Sequence, residues 1–557
     1  MLSNKLNNKK SWVSSKIDTH IFSFIDIAVM LLIILSVLVF ILWPIASVIF
    51  KSIIIDGTIS FDMYKDLFQK NGKILWNSLF VSTLSTIITV LFSISIALYE
   101  RYSKNILRKI ILPVLMLTMI SPPFVSSLAY ITLFGRRGFI THKLLGLTIS
   151  PYGWHGLVLM QALSEISIST LIIIGVLKGI DKNLIQASFD LGSNSSETIK
   201  RVIMPLVKPG IIVAAFIAFV KSLADFGTPI IIGGGFKVLA TEAYLSVISR
   251  SNLPKASAMN VLIVLPALIV FLFYRYFMKN QQLFSNTASK ATDSSESELK
   301  LNRWVNIVLG IITWTFVIVM LLQYIAIFLS AITYYNGSEI VFTMKYIKAM
   351  KYGKMGSFFR SIRYSFVAGI VTSIIGLLLS YYIERKKVRG LKALDFMATL
   401  PYIIPGTFFG IGYVLAFNDY PLPLTGTSII VVLNCIFRQI PIATKAGSAV
   451  LTNINPEIEN AAKDLGTANI FVLKDIIFPL LKPAFLISFI NTFTTTMTTV
   501  GAIIFIISPG AKVATVEMFN TLRDGDYGIG AVIANMIILS TLIINFTFSK
   551  IMVKKEQ

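Results

Sequence analysis

The sequence predicts an all-α integral membrane protein of about twelve transmembrane helices arranged as two pseudo-symmetric six-helix halves, and three observations predict it. Of 557 residues, 55% are hydrophobic and only 14% charged, with a mean hydropathy of +0.77, outside the range of soluble domains. Long uncharged runs recur, each of roughly the 20 residues that a helix needs to cross a bilayer. One polar segment also occurs twice, 274 positions apart, at the same place in each half.

The elements follow in order. Lys5, Lys9, Lys10 and Lys16 precede an apolar run at 27–50 long enough to span, so the amino terminus reads as a retained helix rather than a cleaved signal. Further runs lie at 74–98, 110–134, 155–178, 207–227 and 256–276, then at 305–332, 361–383, 396–417, 427–450, 484–507 and 528–549. Backbone polar groups in lipid must bond internally, which makes each run a helix. Pro122, Pro123, Pro401 and Pro405 interrupt the third and ninth runs and read as packing kinks. Between the two sets, a polar, Ser-rich stretch has no apolar face to bury. It divides the chain into a first half (1–278), a linker (279–303) and a second half (304–557).

Lys and Arg collect in cytoplasmic loops. That bias places both termini, the turns at 101–109 and 385–392, the 180–204 connection and the linker in the cytoplasm. One loop disagrees: Lys345, Lys348, Lys351, Lys354 and Arg360 fall in the outer loop after the seventh helix. The net charge of +23 fits loops facing anionic lipid, and nucleic acid is not an expected partner.

The repeated segment is ASFDLGSNSSETIKRVIMPLVKPG from Ala187 and AAKDLGTANIFVLKDIIFPLLKPA from Ala461. Shared positions include Asp190/Asp464, Leu191/Leu465, Gly192/Gly466, Pro205/Pro479 and Pro209/Pro483. Small residues (Ala187, Ser188, Ala461, Ala462) allow close approach to a helix, and Gly192 and Gly466 allow the backbone to end one short helix before another begins. Pro209 and Pro483 are expected near the first turn of the following span, where a missing N–H costs little. A helix, a corner and a helix, presented twice, suit two docking contacts with a two-lobed or dimeric soluble partner.

The Ala-Ala, Gly, Leu-Pro spacing resembles the EAA loop of permeases of binding-protein-dependent ABC importers. Gln186 and Asn460 stand where that family has Glu. The resemblance implies a type I importer fold, a dimeric ATP-binding-cassette ATPase docked at the two loops, an extracytoplasmic substrate-binding protein, and a bacterial inner membrane around the chain. The stretch SLADFGTPIIIGG from Ser222 and its counterpart TTVGAIIF from Thr498 are similar to fused permeases of the ferric-iron group, which grades into thiamine and phosphonate importers.

No Gly-x-x-x-x-Gly-Lys-Ser/Thr loop occurs, so nucleotide phosphates cannot be cradled in that manner, and no nucleophile elbow or two-His zinc motif is present. His20, His142, His155 and the single Cys435 are too scattered for a metal site, and no cofactor is expected. Ionisable and polar groups inside spans are candidates for the translocation path. These are Glu165 and its repeat counterpart Gln439, Asp225 and its counterpart Thr499, and Arg438. Glu165 and Arg438 either pair across the halves, leaving Asp225 as the free charge, or line the path separately. Lys221 snorkels or pairs locally. A secondary transporter is the rival class, and it has no use for two docking loops. A channel is disfavoured because nothing resembles a selectivity filter.

Overall fold

A computed structural model describes residues 25–55, 57–136, 138–147, 150–285, 299, 301–336, 339–386, 390–467 and 471–553. The amino-terminal lysines, His20 and most of the expected linker lie outside them. The first half contains α1 (Ile25–Ile53), α2 (Asp62–Tyr102), α3 (Ile111–Met119), α4 (Phe124–Phe134), α5 (Trp154–Lys178), α6 (Lys182–Asp190), α7 (Ser195–Ala224), α8 (Gly227–Ile232), α9 (Leu239–Ile248) and α10 (Leu253–Ser285). The second contains α11 (Arg303–Ile332), α12 (Lys345–Gly353), α13 (Met355–Arg385), α14 (Leu391–Ile403), α15 (Gly406–Phe417), α16 (Ser428–Leu451), α17 (Glu457–Asp464), α18 (Val472–Leu480), α19 (Lys482–Thr498), α20 (Ala514–Arg523) and α21 (Tyr527–Val553). A short antiparallel hairpin follows α1 and another follows α11.

Among the described residues, nine helices are long and apolar enough to cross a membrane, and three bent pairs bring the count to as many as 12. Two of those pairs replace the expected third and ninth spans. The chain turns by 109° between α3 and α4 and by 113° between α14 and α15, far beyond a packing kink. Pro122 and Pro123 occupy the first break, and Pro405 follows the second. A residue before proline avoids the helical region, and Ile404 is accordingly extended at φ −87°, ψ 132°. Pro401 stays inside α14. The fifth and eleventh spans also end early, at Ala224 and Thr498, because Asp225 (ψ 113°) and Thr499 (ψ 142°) leave the helix in extended conformation. α10 runs to Ser285, into the stretch expected to be linker.

The sequence halves are not the spatial halves. α1 crosses to the second half, where Phe40 stacks on Phe437 with ring centroids 4.7 Å apart and Tyr413 Oη donates to the Phe40 carbonyl at 2.9 Å. Contact is so close that a Cβ on Gly412 would lie 2.6 Å from the Pro44 carbonyl oxygen. Reciprocally, α11 packs on the first half: Trp314 Nε1 donates to Tyr99 Oη at 3.3 Å, and Tyr324 and Ser121 share a hydroxyl hydrogen bond of 2.8 Å.

Both repeated segments lie at one end of the bundle. The carboxyl end of α2 is buried with Leu177, Ile185 and Ile203 around the first. Asp26, at the start of α1, meets Lys386 beside the second. At the opposite end sit the hairpins and α12, which carries Lys345, Lys348 and Lys351. Two of the dissenting basic residues are engaged there. Lys354 pairs with Glu517 of α20 at 2.7 Å, and Arg360 Nε donates to the Lys512 carbonyl at 2.9 Å.

Candidate functional site

Each repeated segment forms the same corner. In the first, Asp181 caps α6, which ends in paired reverse bonds: Gly192 N–H donates to the Phe189 carbonyl and Ser193 N–H to the Ser188 carbonyl. That closure needs a left-handed residue, and Gly192 supplies it at φ +84°. α17 ends alike: Thr467 N–H donates to the Ala462 carbonyl, and Gly466 has the same φ of +84°. No atom lies within 4 Å of a Cβ built on either glycine.

The two corners expose the same surface. Gln186, Ala187 and Asp190 are exposed in the first, Asn460, Ala461 and Asp464 in the second. Ser188 instead turns inward and bonds Thr198 Oγ1 at 3.0 Å, and Ala462 is half-buried. Leu191 and Leu465, each just before its glycine, are both 87% exposed. Sequence reasoning passed over these two residues. The signal was an apolar side chain held at the tip of a polar loop in both copies, with nothing of its own half to cover it.

Beyond each corner comes a π-helical turn, Ile199–Ile203 or Val472–Ile477, and then Pro205 or Pro479 at the start of the next helical stretch. Pro483 occupies the first turn of α19 as expected, whereas Pro209 lies inside α7 because the π turn runs into that helix without a break.

The far ends of α7 and α19 meet where the halves join. α7 advances about 1.5 Å per residue, so Asp225, just past its end, lies about one membrane thickness from the corners. Phe124, Phe226 and Tyr244 of the first half close there against Phe505 and Phe519 of the second, with centroid separations of 5.1–6.0 Å. Thr407 Oγ1 donates to Asn260 Oδ1 across the same seam at 3.0 Å. The join is sealed by packed rings at the end away from the corners.

The candidate path residues flank this seal, in partnerships that differ from those expected. Glu165 pairs with Lys221 at 3.2 Å and not with Arg438. Lys221 stands on α7, packed directly against α5, so the local partner wins. Asp225 is not a free charge: it accepts from the Gly227 and Thr228 N–H groups at 3.1 Å and from Gln161 Nε2 at 3.1 Å. Arg438 donates from Nη1 to Thr499 Oγ1 at 2.9 Å. Its neighbours include Gln439, Asn434, Cys435, Thr495 and Thr496. The structure thus joins Asp225 to Gln161 and Thr499 to Arg438, each linking the fourth or tenth span to a broken helix end.

Residues 89–281 match the family model described as "Binding-protein-dependent transport system inner membrane component". The chain is 30% identical over 541 residues to the ferric transport system permease protein FbpB of Actinobacillus pleuropneumoniae, covering 94% of this chain and 77% of that protein. It is 31% identical over 506 residues to the putative ferric transport system permease protein FbpB 1 of Haemophilus influenzae, covering 87% and 79%. A shorter similarity, 26% over 198 residues, covers 33% of this chain and 72% of the sulfate transport system permease protein CysT of Salmonella typhimurium.

Proposed function

From the premise that this chain belongs to the inner-membrane permease family of binding-protein-dependent transport systems, we propose that it forms the complete transmembrane pathway of a ferric-iron importer. A separate dimeric ATPase then docks at the two corners in the cytoplasm, and an extracytoplasmic binding protein delivers cargo at the aromatic end. Iron as cargo is supported by the likeness over most of the chain to two ferric transport permeases. The geometric observation that carries the importer reading is the pair of corners with matching glycine angles, each offering one uncovered leucine at the same end of the bundle.

The cycle follows from that geometry. Closing of the ATPase pair pulls both corners together; α7, continuous with its π turn, and α19, joined to α18 through a 67° bend, transmit the movement to Asp225 and Thr499. The rings of Phe124, Phe226, Tyr244, Phe505 and Phe519 then part to admit cargo and reseal after hydrolysis. Both chain termini and the linker are cytoplasmic in this orientation. The division at 279–303 serves as the tether between repeats, while the exchanged α1 and α11 hold the spatial halves together.

The test is the double substitution Leu191→Glu and Leu465→Glu. Neither side chain packs within its own half, so the protein should reach the membrane in normal amount while radiolabelled ferric-iron uptake and copurification of the ATPase fall by at least about tenfold. Normal uptake with the ATPase still bound would overturn the docking assignment.

A further inference from the structure

The two halves carry polar clusters at equivalent positions, and only the first is paired within itself. In the second half Asn434, Cys435, Arg438, Gln439, Thr495, Thr496 and Thr499 converge between α16 and α19. Six of these have first-half counterparts, 274 positions earlier, that carry polar or charged groups: Gln161, Ser164, Glu165, Lys221, Ser222 and Asp225. There Glu165 neutralises Lys221, Gln161 bonds Ser222 and Asp225, and Asp225 takes two backbone N–H groups. Every carboxylate in that cluster has a partner.

The second-half pocket contains no acid. Arg438 replaces Ser164, Gln439 replaces Glu165, Thr495 replaces Lys221 and Thr499 replaces Asp225, so two carboxylates and an ammonium give way to a single guanidinium. A guanidinium offers five donors in a planar fork, and the Arg438 fork makes one hydrogen bond, to Thr499. No carboxylate of the described residues pairs with it. Asn434, 1% exposed and directed into the same pocket, has neither its Oδ1 nor its Nδ2 bonded. The guanidinium also lies against the first residue of α15: a Cβ on Gly406 would stand 3.0 Å from Arg438 Nη2. α15 begins there with its free N–H groups, so its positive end and the guanidinium converge, an arrangement that repels itself unless negative charge lies between.

We propose that this pocket is a binding site for a small oxyanion of the phosphate, sulfate or carbonate class, formed as α16 and α19 separate during transport. In the present conformation the lining side chains close on one another. When they part, Arg438 supplies a bidentate contact, the α15 amino terminus supplies N–H donors, and Asn434 Nδ2 and Thr499 Oγ1 complete the shell. The first half, whose cluster carries two carboxylates to one ammonium, binds no such ion. The inference rests on the proposed transport cycle, to which it adds a parting of α16 from α19, and not on the identity of the cargo.

Cys435, the only cysteine of the chain, lines the pocket and reports on it. The assembled importer is placed in phosphatidylcholine liposomes and locked with ATP by a hydrolysis-deficient ATPase. Labelling of this chain is then measured with anionic sulfonatoethyl, cationic trimethylammonium-ethyl and neutral methyl methanethiosulfonates. The anionic reagent should react at least about tenfold faster than the cationic one. Arg438→Gln should abolish that preference and Arg438→Lys should keep most of it. Inorganic phosphate should slow the neutral reagent in the native chain and not in Arg438→Gln. Equal rates for the two charged reagents, no protection by phosphate, or no reaction with any reagent in the ATP-locked state would each overturn the site. Iron uptake by importer with the unmodified ATPase, measured in parallel, reports separately on the permease reading.

Discussion

The two corners are alike outward and unlike inward. Their glycines share one backbone angle and their leucines one degree of exposure, yet the side chain that fixes each short helix to its own half differs in kind. At the first corner the anchor is Ile185, 6% exposed among Ile180, Leu177 and Ile203. At the second the equivalent position is Glu459, 4% exposed, which pairs with Arg385 at 2.8 Å and accepts from Tyr381 Oη at 3.5 Å. Arg385 in turn donates to the Leu451 and Ile454 carbonyls, and the adjacent Lys386 reaches Asp26 of α1. A duplicated element can therefore keep the surface it offers to a partner while exchanging an apolar anchor for a directional one. The apolar anchor holds α6 by non-directional packing. The ion pair fixes α17 to α13 at a set distance.

The comparison is most exposed at Glu459. Glu459→Ala leaves the buried Arg385 without its counter-charge and should destabilise the chain by about 3 kcal/mol, read as a lowered midpoint in heat-induced exposure of the buried Cys435 to a fluorogenic thiol reagent. Copying the first corner with Arg385→Met and Glu459→Ile should recover most of that midpoint. If the double variant is as unstable as the single one, the two anchors are not interchangeable.

Ile185→Ala should cost less, about 2 kcal/mol, because it removes packing without stranding a charge. Its effect in the same assay should not depend on salt. Smallest are the corners themselves. Gly192→Val and Gly466→Val each force a β-branched residue into left-handed backbone at about 1–2 kcal/mol, and the two costs should agree because the angles do. Both together should end ferric-iron uptake in cells whose membranes still contain the protein. A large difference between the single variants would mean that the corners are not equivalent in the assembled importer.

The long helices were legible because length and apolarity alone select them: 155–178 and 427–450 each fall within one residue of the observed spans. The corners were legible because the repeat fixes their glycines. Direction was not. A run such as 396–417 satisfies every compositional test for one crossing, and only the placement of Pro405 after an extended Ile404 shows that it turns by 113°. Partnership was not legible either, since Glu165 could reach a cation on any neighbouring helix and the sequence does not say that α7 supplies the nearest. Asp225 looked like a free charge for the same reason: the backbone N–H groups that engage it become available only when the helix ends at Ala224.

The exchange of α1 has a consequence for how the chain is made. α1 is the first described span to leave the ribosome, but the hydroxyl that bonds the Phe40 carbonyl belongs to Tyr413, 373 positions later. Until then α1 packs against α10 and Tyr64 of its own half, while the face that meets the second half rests in lipid. It is fitted to wait, being the most apolar of the described spans, with most of its surface uncovered even in the finished fold. Final assembly must therefore be late and long-range, with contacts of the kind that form slowly. A truncation after the first half would leave α1 packed on α10, with the face that meets Phe417, Phe437 and Tyr413 uncovered, so a separately made first half should mature fully only when the second is present in the same membrane.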